Sequence, residues 1–400
     1  MEEIKNLHEL LHSFLDKYTT ILDCHIKLLE MDCENYGSIM LDLKVILKTE
    51  QEETVLNLIA KVRPKSEYLR RVFPTEVCFK NEINVYKYII PYLLQFQKEQ
   101  GLDELINFFP YCYATRTSIK NNDNEVDDDV VLLLENLKLK GYVVVNRMES
   151  FNLESTFFIL KNLATYHAVC LSLKLLQPEL FQTHVLNKLV KRIKFDSLSK
   201  DSERKLIQLA IKAADNDSLV QRIENALNYY FNTYKEPFTP REPFATLIHN
   251  DYWITNIMVK YENESVVQTK MIDFQRVEYG SPARDLIFFI FTSVKLEILD
   301  LYYDDFIKYY YNVFIEVLTK FKCNTTMFSF KDFKEELRLS ASTREFCHLI
   351  LMTQYVHANK NTKITDNYTE EDHFSQMQVT DMCLTRLNKI IYHFAKNNWI

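Results

Sequence analysis

With 400 residues, 47% of them apolar and 26% charged, the chain has room for two or three domains with real cores and the composition of a soluble globular protein. A net charge of −7 leaves no polycationic footprint and argues against nucleic acid as the main partner. Eight cysteines (Cys24, Cys33, Cys78, Cys112, Cys170, Cys323, Cys347 and Cys383) form no CxxC pair and no metal-ligand spacing, as expected of buried free thiols in a reducing compartment.

The opening MEEIKNLHELLHSFLDKY predicts an acidic amphipathic helix without the basic start and apolar core of a signal peptide. The longest apolar run, DLIFFIFTSV, is too short to span a bilayer, so a soluble, cytoplasmic protein with no membrane span is expected. GSIMLDLKVILKT and VLNLIAKVRP alternate in the manner of strands. A helical stretch, FKNEINVYKYIIPYLLQFQKEQ, follows them and precedes a further strand-like piece, PYCYATRTSIK. Asn121–Asp129, with three adjacent aspartates but no calcium-loop pattern, predicts a solvated hairpin tip. Val130–Leu137 (VVLLLENL) is a continuous apolar run, the pattern of a strand buried on both faces. From about Glu149 helices dominate, with LESTFFILKNLATYHAVCLSLKLL as an amphipathic example. Strand texture returns only between Ala245 and Gln275. The outline is α+β: a small β-rich lobe over residues 1–136, then a larger helical lobe over residues 137–400 with an embedded hairpin.

Chemistry concentrates in LIHNDYWITNIM and the hairpin that follows. ITNIMVKY and VVQTKMIDF are separated by the polar turn ENES, which would return Asp273 to the side of Asp251 and Asn256. Two carboxylates and an amide oxygen then converge, hard oxygen groups of the kind that hold magnesium between themselves and substrate phosphates. Phosphoryl transfer requires this set, with Asp251 as base and Asn256 and Asp273 as metal ligands. It also requires a small-lobe lysine to grip phosphates and a helix glutamate to pair with it. Lys61 in LNLIAKVRP and Glu82 in FKNEINVY stand in that order, followed by VVLLLENL as a hinge. The hinge backbone at Glu135, Asn136 and Leu137 would meet the adenine.

These stretches, with CENYGSIM, LATYHA and IDFQRVEYGSPARDLIFFIFTS, resemble the ecdysteroid kinase-like family, related to choline kinases and aminoglycoside phosphotransferases. The resemblance runs over about residues 30 to 300 and implies a two-lobed, protein kinase-like fold with ATP and magnesium between the lobes. It implies transfer of the γ-phosphate to a hydroxyl of a small acceptor, with an ecdysteroid or a related sterol or xenobiotic as the candidate. The turn Asn35, Tyr36, Gly37 and Ser38 would cover the phosphates, and Asp285 would brace the catalytic loop. Cys33 and Asn250 stand where the family usually has glycine, and Asn136 where it has an acid. The first of these bears on ATP affinity; Asn250 is milder, because Asn tolerates left-handed geometry. His249 is expected to brace the loop and His167 to be a hydrogen-bonded core histidine. The tyrosine-rich run Leu301–Phe314 is expected to pack in the core before serving as a pocket wall. Two other functions stay open on these residues: a kinase scaffold that binds without efficient catalysis, and a phosphotransferase for choline or aminoglycosides.

Overall fold

A computed structural model describes residues 4–29, 37–102, 106–120, 125–190, 199–234, 239–357 and 379–400. The chain opens with a short helix, α1 (Leu7–His12), and two strands, β1 (Thr20–Leu28) and β2 (Ile39–Lys48). The helix is shorter than expected because Asp16 accepts the Tyr18 N–H and the Thr19 hydroxyl, closing a turn where the helix would continue. Next come β3 (Glu53–Val62), α2 (Glu67–Val72), α3 (Thr75–Asn84) and α4 (Ile90–Glu99), then β4 (Cys112–Arg116) and β5 (Val131–Glu135). The five strands form one antiparallel sheet in the order β1-β2-β3-β5-β4.

Alternation decides what each face of this sheet does. Leu41, Leu43 and Val45 of β2, Leu58 and Ala60 of β3, and Val131 and Leu133 of β5 pack with Leu7, Leu10 and Leu11 of α1. The intervening Leu132 and Leu134 join the main core on the opposite side, so β5 is buried throughout, as its unbroken apolar run predicts. The edge strand β1 is mostly exposed and shows no clean alternation, which is why sequence pattern passes over it. The single helix expected over FKNEINVYKYIIPYLLQFQKEQ is interrupted by a π-turn at Val85–Ile89. Pro91, which has no N–H to give the preceding turn, stands just beyond that widening.

Past a 3₁₀ turn at Leu137–Lys140 and β6 (Tyr142–Val144) the chain is mainly helical: α5 (Leu153–Leu176), α6 (Pro178–His184), α7 (Lys200–Ala214) and α8 (Val220–Thr233). Strands β7 (Thr246–Ile248), β8 (Ile257–Glu262), β9 (Ser265–Met271) and β10 (Glu278–Gly280) follow. Helices α9 (Pro282–Ser293), α10 (Leu296–Lys320), α11 (Phe330–Ser340), α12 (Phe346–Val356) and α13 (Asp381–Lys396) complete the described chain. β6 and β10 lie outside the window expected to hold strands; they flank β8 and β7 as three-residue pairings too short to leave a pattern. Helix α5 is not amphipathic as expected but buried on nearly every side, with α10 packed along it. The β8–β9 hairpin turns on Asn263 and Glu264, both at positive φ (49° and 68°), the geometry of a two-residue type I′ turn.

One large core runs from α3, α4 and β5 through α5, α9 and α10, so the two lobes share apolar packing. Among the described residues no helix is long and apolar enough to cross a membrane. The seven described cysteines are free thiols, and burial pushes Cys78 and Cys112 up to about 12, leaving them protonated. Cys33 lies outside the described residues.

Arg284 of α9 is buried and pairs with Glu278 and, at 3.1 Å, with Glu345, which His348 also meets at 3.0 Å. Burial opposes ionisation of Glu345, but His348 and then the Arg284 and Arg344 guanidiniums overcome it and hold the carboxyl down to about 2. Burial pulls His348 itself below the usual imidazole range, so at neutral pH it contributes a hydrogen bond and the guanidiniums the charge. A carboxyl depressed on folding stabilises above its unfolded pKa and loses that contribution as pH falls through the folded one. Glu345→Gln should therefore lower unfolding free energy at pH 7 by about 3 kcal/mol. In urea denaturation series it should also flatten the acid dependence between the ordinary glutamate range and about pH 2.

Candidate active site

Lys61 stands one residue before the end of β3 and, by alternation, turns away from the α1 side of the sheet. It is 2% exposed, and its Nζ lies 2.7 Å from Glu82 Oε2 and 2.7 Å from Asp273 Oδ1. Burial would pull the ammonium down, yet Asp273 and Glu82 together hold it above the ordinary lysine range. Burial raises the Glu82 carboxyl, against the pull of Lys61. The other Glu82 oxygen accepts the Phe274 N–H at 3.2 Å, so one glutamate of α3 ties the lysine to the segment that follows β9.

That segment is held at several points. Asp273 sits in the left-handed region (φ 66°), which swings its carboxylate toward Lys61. The Phe274 ring packs edge-on against Tyr86 at 5.5 Å and lies 5.1 Å from the His249 ring, linking the small-lobe helix to the loop after β7. Asn81, one residue before Glu82, donates to the carbonyls of Gln275 (3.1 Å) and Val277 (2.9 Å).

The loop after β7 is organised by one carboxylate. Asp285 of α9 accepts the backbone N–H groups of His249 and Asn250, both at 2.7 Å, and meets His167 Nε2 at 3.1 Å. His167 is completed by the Tyr310 hydroxyl at 2.6 Å, and His249 Nε2 donates to the Ile272 carbonyl at 3.0 Å. Asn250 takes φ 62° without being glycine, and its side chain adds two ties: Nδ2 donates to the Arg276 carbonyl at 3.1 Å, and Oδ1 accepts from Arg284. Asp251 follows. Its Oδ2 accepts from Asn256 Nδ2 at 3.0 Å, while its buried Oδ1 has no hydrogen bond among the described residues and lies 3.7 Å from Arg276. Burial raises the Asp251 carboxyl above the usual aspartate range, and Arg276 pulls it back.

The hairpin joins the two groups. Ile257 pairs with Met271, and Ile272 N–H donates to the Asn256 carbonyl at 3.1 Å, so Asp251, Asn256 and Asp273 come together with Lys61 and Glu82. The hinge residues lie along the same sheet, Glu135 pairing with Leu58, three residues before Lys61. That separation is about 10 Å at strand rise, the span of a nucleoside. The side chains of the hinge face elsewhere: Glu135 pairs with Lys140 at 2.5 Å, and Asn136 donates to Asp42 at 3.2 Å. Leu137 packs with Tyr142 and Met258 below. Gly37 and Ser38 lead into β2, with Ser38 buried; Asn35 and Tyr36 lie outside the described residues.

Arg276, Asn81, Tyr86 and Arg284 are not singled out by sequence pattern. Only Arg276 leaves a signal, a charge directly after IDFQ, because the others act through contacts far away in the chain. The tyrosines of α10 mostly serve the core: Tyr310 stacks on Phe333 and Tyr303 packs against His393. Among the described residues no three His, Cys, Asp or Glu side chains cluster as a self-sufficient metal site. The Asp127–Asp129 triplet, expected to be a solvated tip, is partly tied down instead: Asp128 pairs with Arg70 at 2.9 Å and Asp129 with Lys5 at 3.0 Å.

Solved structures similar to this chain include the gentamicin complex of APH(2")-IIa, at 14% identity with 89% of this chain and 98% of that chain covered and a TM-score of 0.38. Spectinomycin phosphotransferase APH(9)-Ia, in complex with ADP and spectinomycin, is 11% identical over 99% of each chain with a TM-score of 0.43. A microcompartment-associated aminopropanol kinase is 11% identical over 94% of each chain, with a TM-score of 0.40. Among curated proteins none matches. The ecdysteroid kinase-like family matches residues 32–323, a span that takes in every side chain from Lys61 to Asp285 described above. The chain belongs to that family, with the two-lobed α+β fold of the kinase-like phosphotransferases of small molecules.

Proposed function

We propose that the chain is a kinase that transfers the γ-phosphoryl group of ATP to a hydroxyl of a small acceptor, with magnesium as its metal. The observation that carries this proposal is Lys61 held at 2.7 Å by both Glu82 and Asp273, beside an Asp251 whose Oδ1 is buried without a hydrogen bond among the described residues. In this reading Asp251 is the base. Asn256 fixes one of its oxygens and leaves the other to accept the acceptor's hydroxyl proton. Lys61, kept charged by its two carboxylates, meets the phosphates, and Gly37 and Ser38, with Asn35 and Tyr36 before them in sequence, are assigned to the same nucleotide. The backbone of Glu135, Asn136 and Leu137 serves the base, and the lobe boundary falls there, between residues 136 and 137.

The donor set suits magnesium. Asp273 and the Asn256 side-chain oxygen are hard ligands, too few to complete a shell alone, as expected of an ion that takes its remaining ligands from phosphate and water. When bound, the ion would neutralise charge on the transferring group. For the acceptor, family membership favours a polyhydroxylated sterol such as an ecdysteroid, or a related xenobiotic. Arg276, next to Asp251, disfavours cationic acceptors of the choline or aminoglycoside kind. The complete set of five charged and amide groups argues against a purely binding scaffold. A cytoplasmic setting fits the free, protonated thiols.

Two measurements test this. Labelled-ATP transfer should be seen with at least one member of a panel of ecdysteroids, other polyols, glycosides and choline. Asp251→Ala should lower it by about 10²–10⁴-fold while MgATP binding persists. A wild-type chain that neither transfers label nor binds ATP in a magnesium-dependent way would instead be a binding scaffold. The second concerns pH. The base must be ionised, so activity falls as pH drops through the raised Asp251 pKa. Arg276→Gln removes the cation that lowers this pKa, and the acid limb of kcat/KM should move to higher pH. A limb that stays in place or moves down would remove Asp251 as the titrating base.

A further inference from the structure

Gln275 follows Phe274 in the IDFQ stretch, and neither the lysine bridge nor the loop after β7 uses its side chain. The residue is 7% exposed. Its backbone is fixed on both sides: its carbonyl accepts from Asn81, and the Phe274 N–H is held by Glu82. From this rigid base the side chain reaches the phosphate turn. A Cβ placed on Gly37 would meet Gln275 Oε1 at 2.8 Å, Nε2 at 3.5 Å and the side-chain amide carbon at 3.6 Å, so the amide lies directly against residue 37 and a side chain there would push it aside. The amide Nε2 is buried and has no hydrogen-bond partner among the described residues. A buried amide donor without an acceptor is costly, which points to a group that arrives with the ligand.

We propose that Gln275 is a positioning residue for the nucleotide phosphates. Its amide abuts the turn at Gly37 and offers Nε2 to a phosphate oxygen, coupling the turn over the phosphates to Asp273 two residues earlier. The chemistry suits the place: a neutral amide donates to a phosphate without adding charge beside Lys61, and its fixed backbone limits the entropy lost on engagement. In this scheme glycine at position 37 lets the Gln275 amide keep its place, and serves steric fit rather than a left-handed backbone.

This inference rests on the nucleotide reading of the cleft, and the test separates the two. Equilibrium binding of MgATP and of adenosine would be measured on the full chain and on Gln275→Ala, Gln275→Glu, Gly37→Ala and the Gly37→Ala/Gln275→Ala double variant. Gln275→Ala should weaken MgATP about tenfold, the scale of one hydrogen bond to a charged group, and leave adenosine within about twofold. Gln275→Glu, nearly isosteric, should weaken MgATP further by repulsion. Gly37→Ala should lose MgATP affinity, and removing Gln275 in the same chain should restore part of it. Melting temperatures of the Gln275 variants should match wild type, because the backbone tie to Asn81 remains. Equal losses for MgATP and adenosine, or strictly additive losses in the double variant, would overturn the role of Gln275 with the kinase reading intact. A wild-type chain that binds neither ligand overturns both.

Discussion

A lysine ammonium almost sealed from water, between two carboxylates from different lobes, sets the terms for the rest of this molecule. Removing Lys61 and Glu82 from solvent costs several kcal/mol per ion, and only short contacts with further hydrogen bonds can offset that. The structure supplies them from both sides. Glu82 spends its second oxygen on the Phe274 N–H, and Asp273 is brought to Lys61 by a left-handed backbone that few residues adopt willingly. The charge cluster therefore fixes three elements at once: β3, α3 and the segment after β9. Tyr86 against Phe274, and Asn81 on the carbonyls beyond it, are the apolar and polar sides of the same attachment.

The loop after β7 meets an analogous constraint with different means. Its backbone N–H groups turn inward at His249 and Asn250, where no strand partner is available, and both go to Asp285. Behind that carboxylate stand His167 and Tyr310, a line of hydrogen bonds from loop to α10 with no solvent in it. Asn250 shows what the chain gains by not using glycine here. It pays the small cost of left-handed geometry and converts its side chain into a strut between Arg284 and the Arg276 carbonyl. Arg276 is the residue beside Asp251, so the strut reaches the electrostatics of that carboxylate.

How much of this is legible in sequence follows from how local each feature is. β2 and β5 are legible because one alternates against α1 and the other is buried on both faces. β1 is not, since an exposed edge imposes no pattern, and α5 reads as amphipathic although packing covers nearly all of it. The order Lys61, Glu82, Asp251, Asn256, Asp273 can be read because phosphoryl transfer dictates which residue types must follow one another. What no spacing reveals is a contact between side chains that only the closed fold makes adjacent. Asn81 with Gln275, Asn250 with Arg284, and Gln275 with Gly37 are of that kind. The same holds for Glu135 and Asn136, whose side chains turn to Lys140 and Asp42.

The scarcity of glycine, with 4 in the chain, then has a physical interpretation rather than counting as a defect. Left-handed turns are taken by Asn250, Asp273 and Asn263, polar residues that tolerate the geometry and contribute a functional or structuring group in return. Two of the four glycines, Gly101 (φ 70°) and Gly141 (φ 84°), take left-handed backbone themselves, and at the other two a side chain would meet a neighbour. At Gly37 that neighbour is Gln275, and at Gly280 a Cβ would come within 3.0 Å of Ile248 and 3.3 Å of Arg284. Both positions flank the same segment, residues 273–280, from above and from its own end. At these two positions glycine lets the segment be approached closely, and side chains elsewhere hold it. Geometry that a glycine-rich loop would leave to backbone freedom is here set by contacts, which makes the segment between Asp273 and Arg284 the part of the site least able to accept independent change.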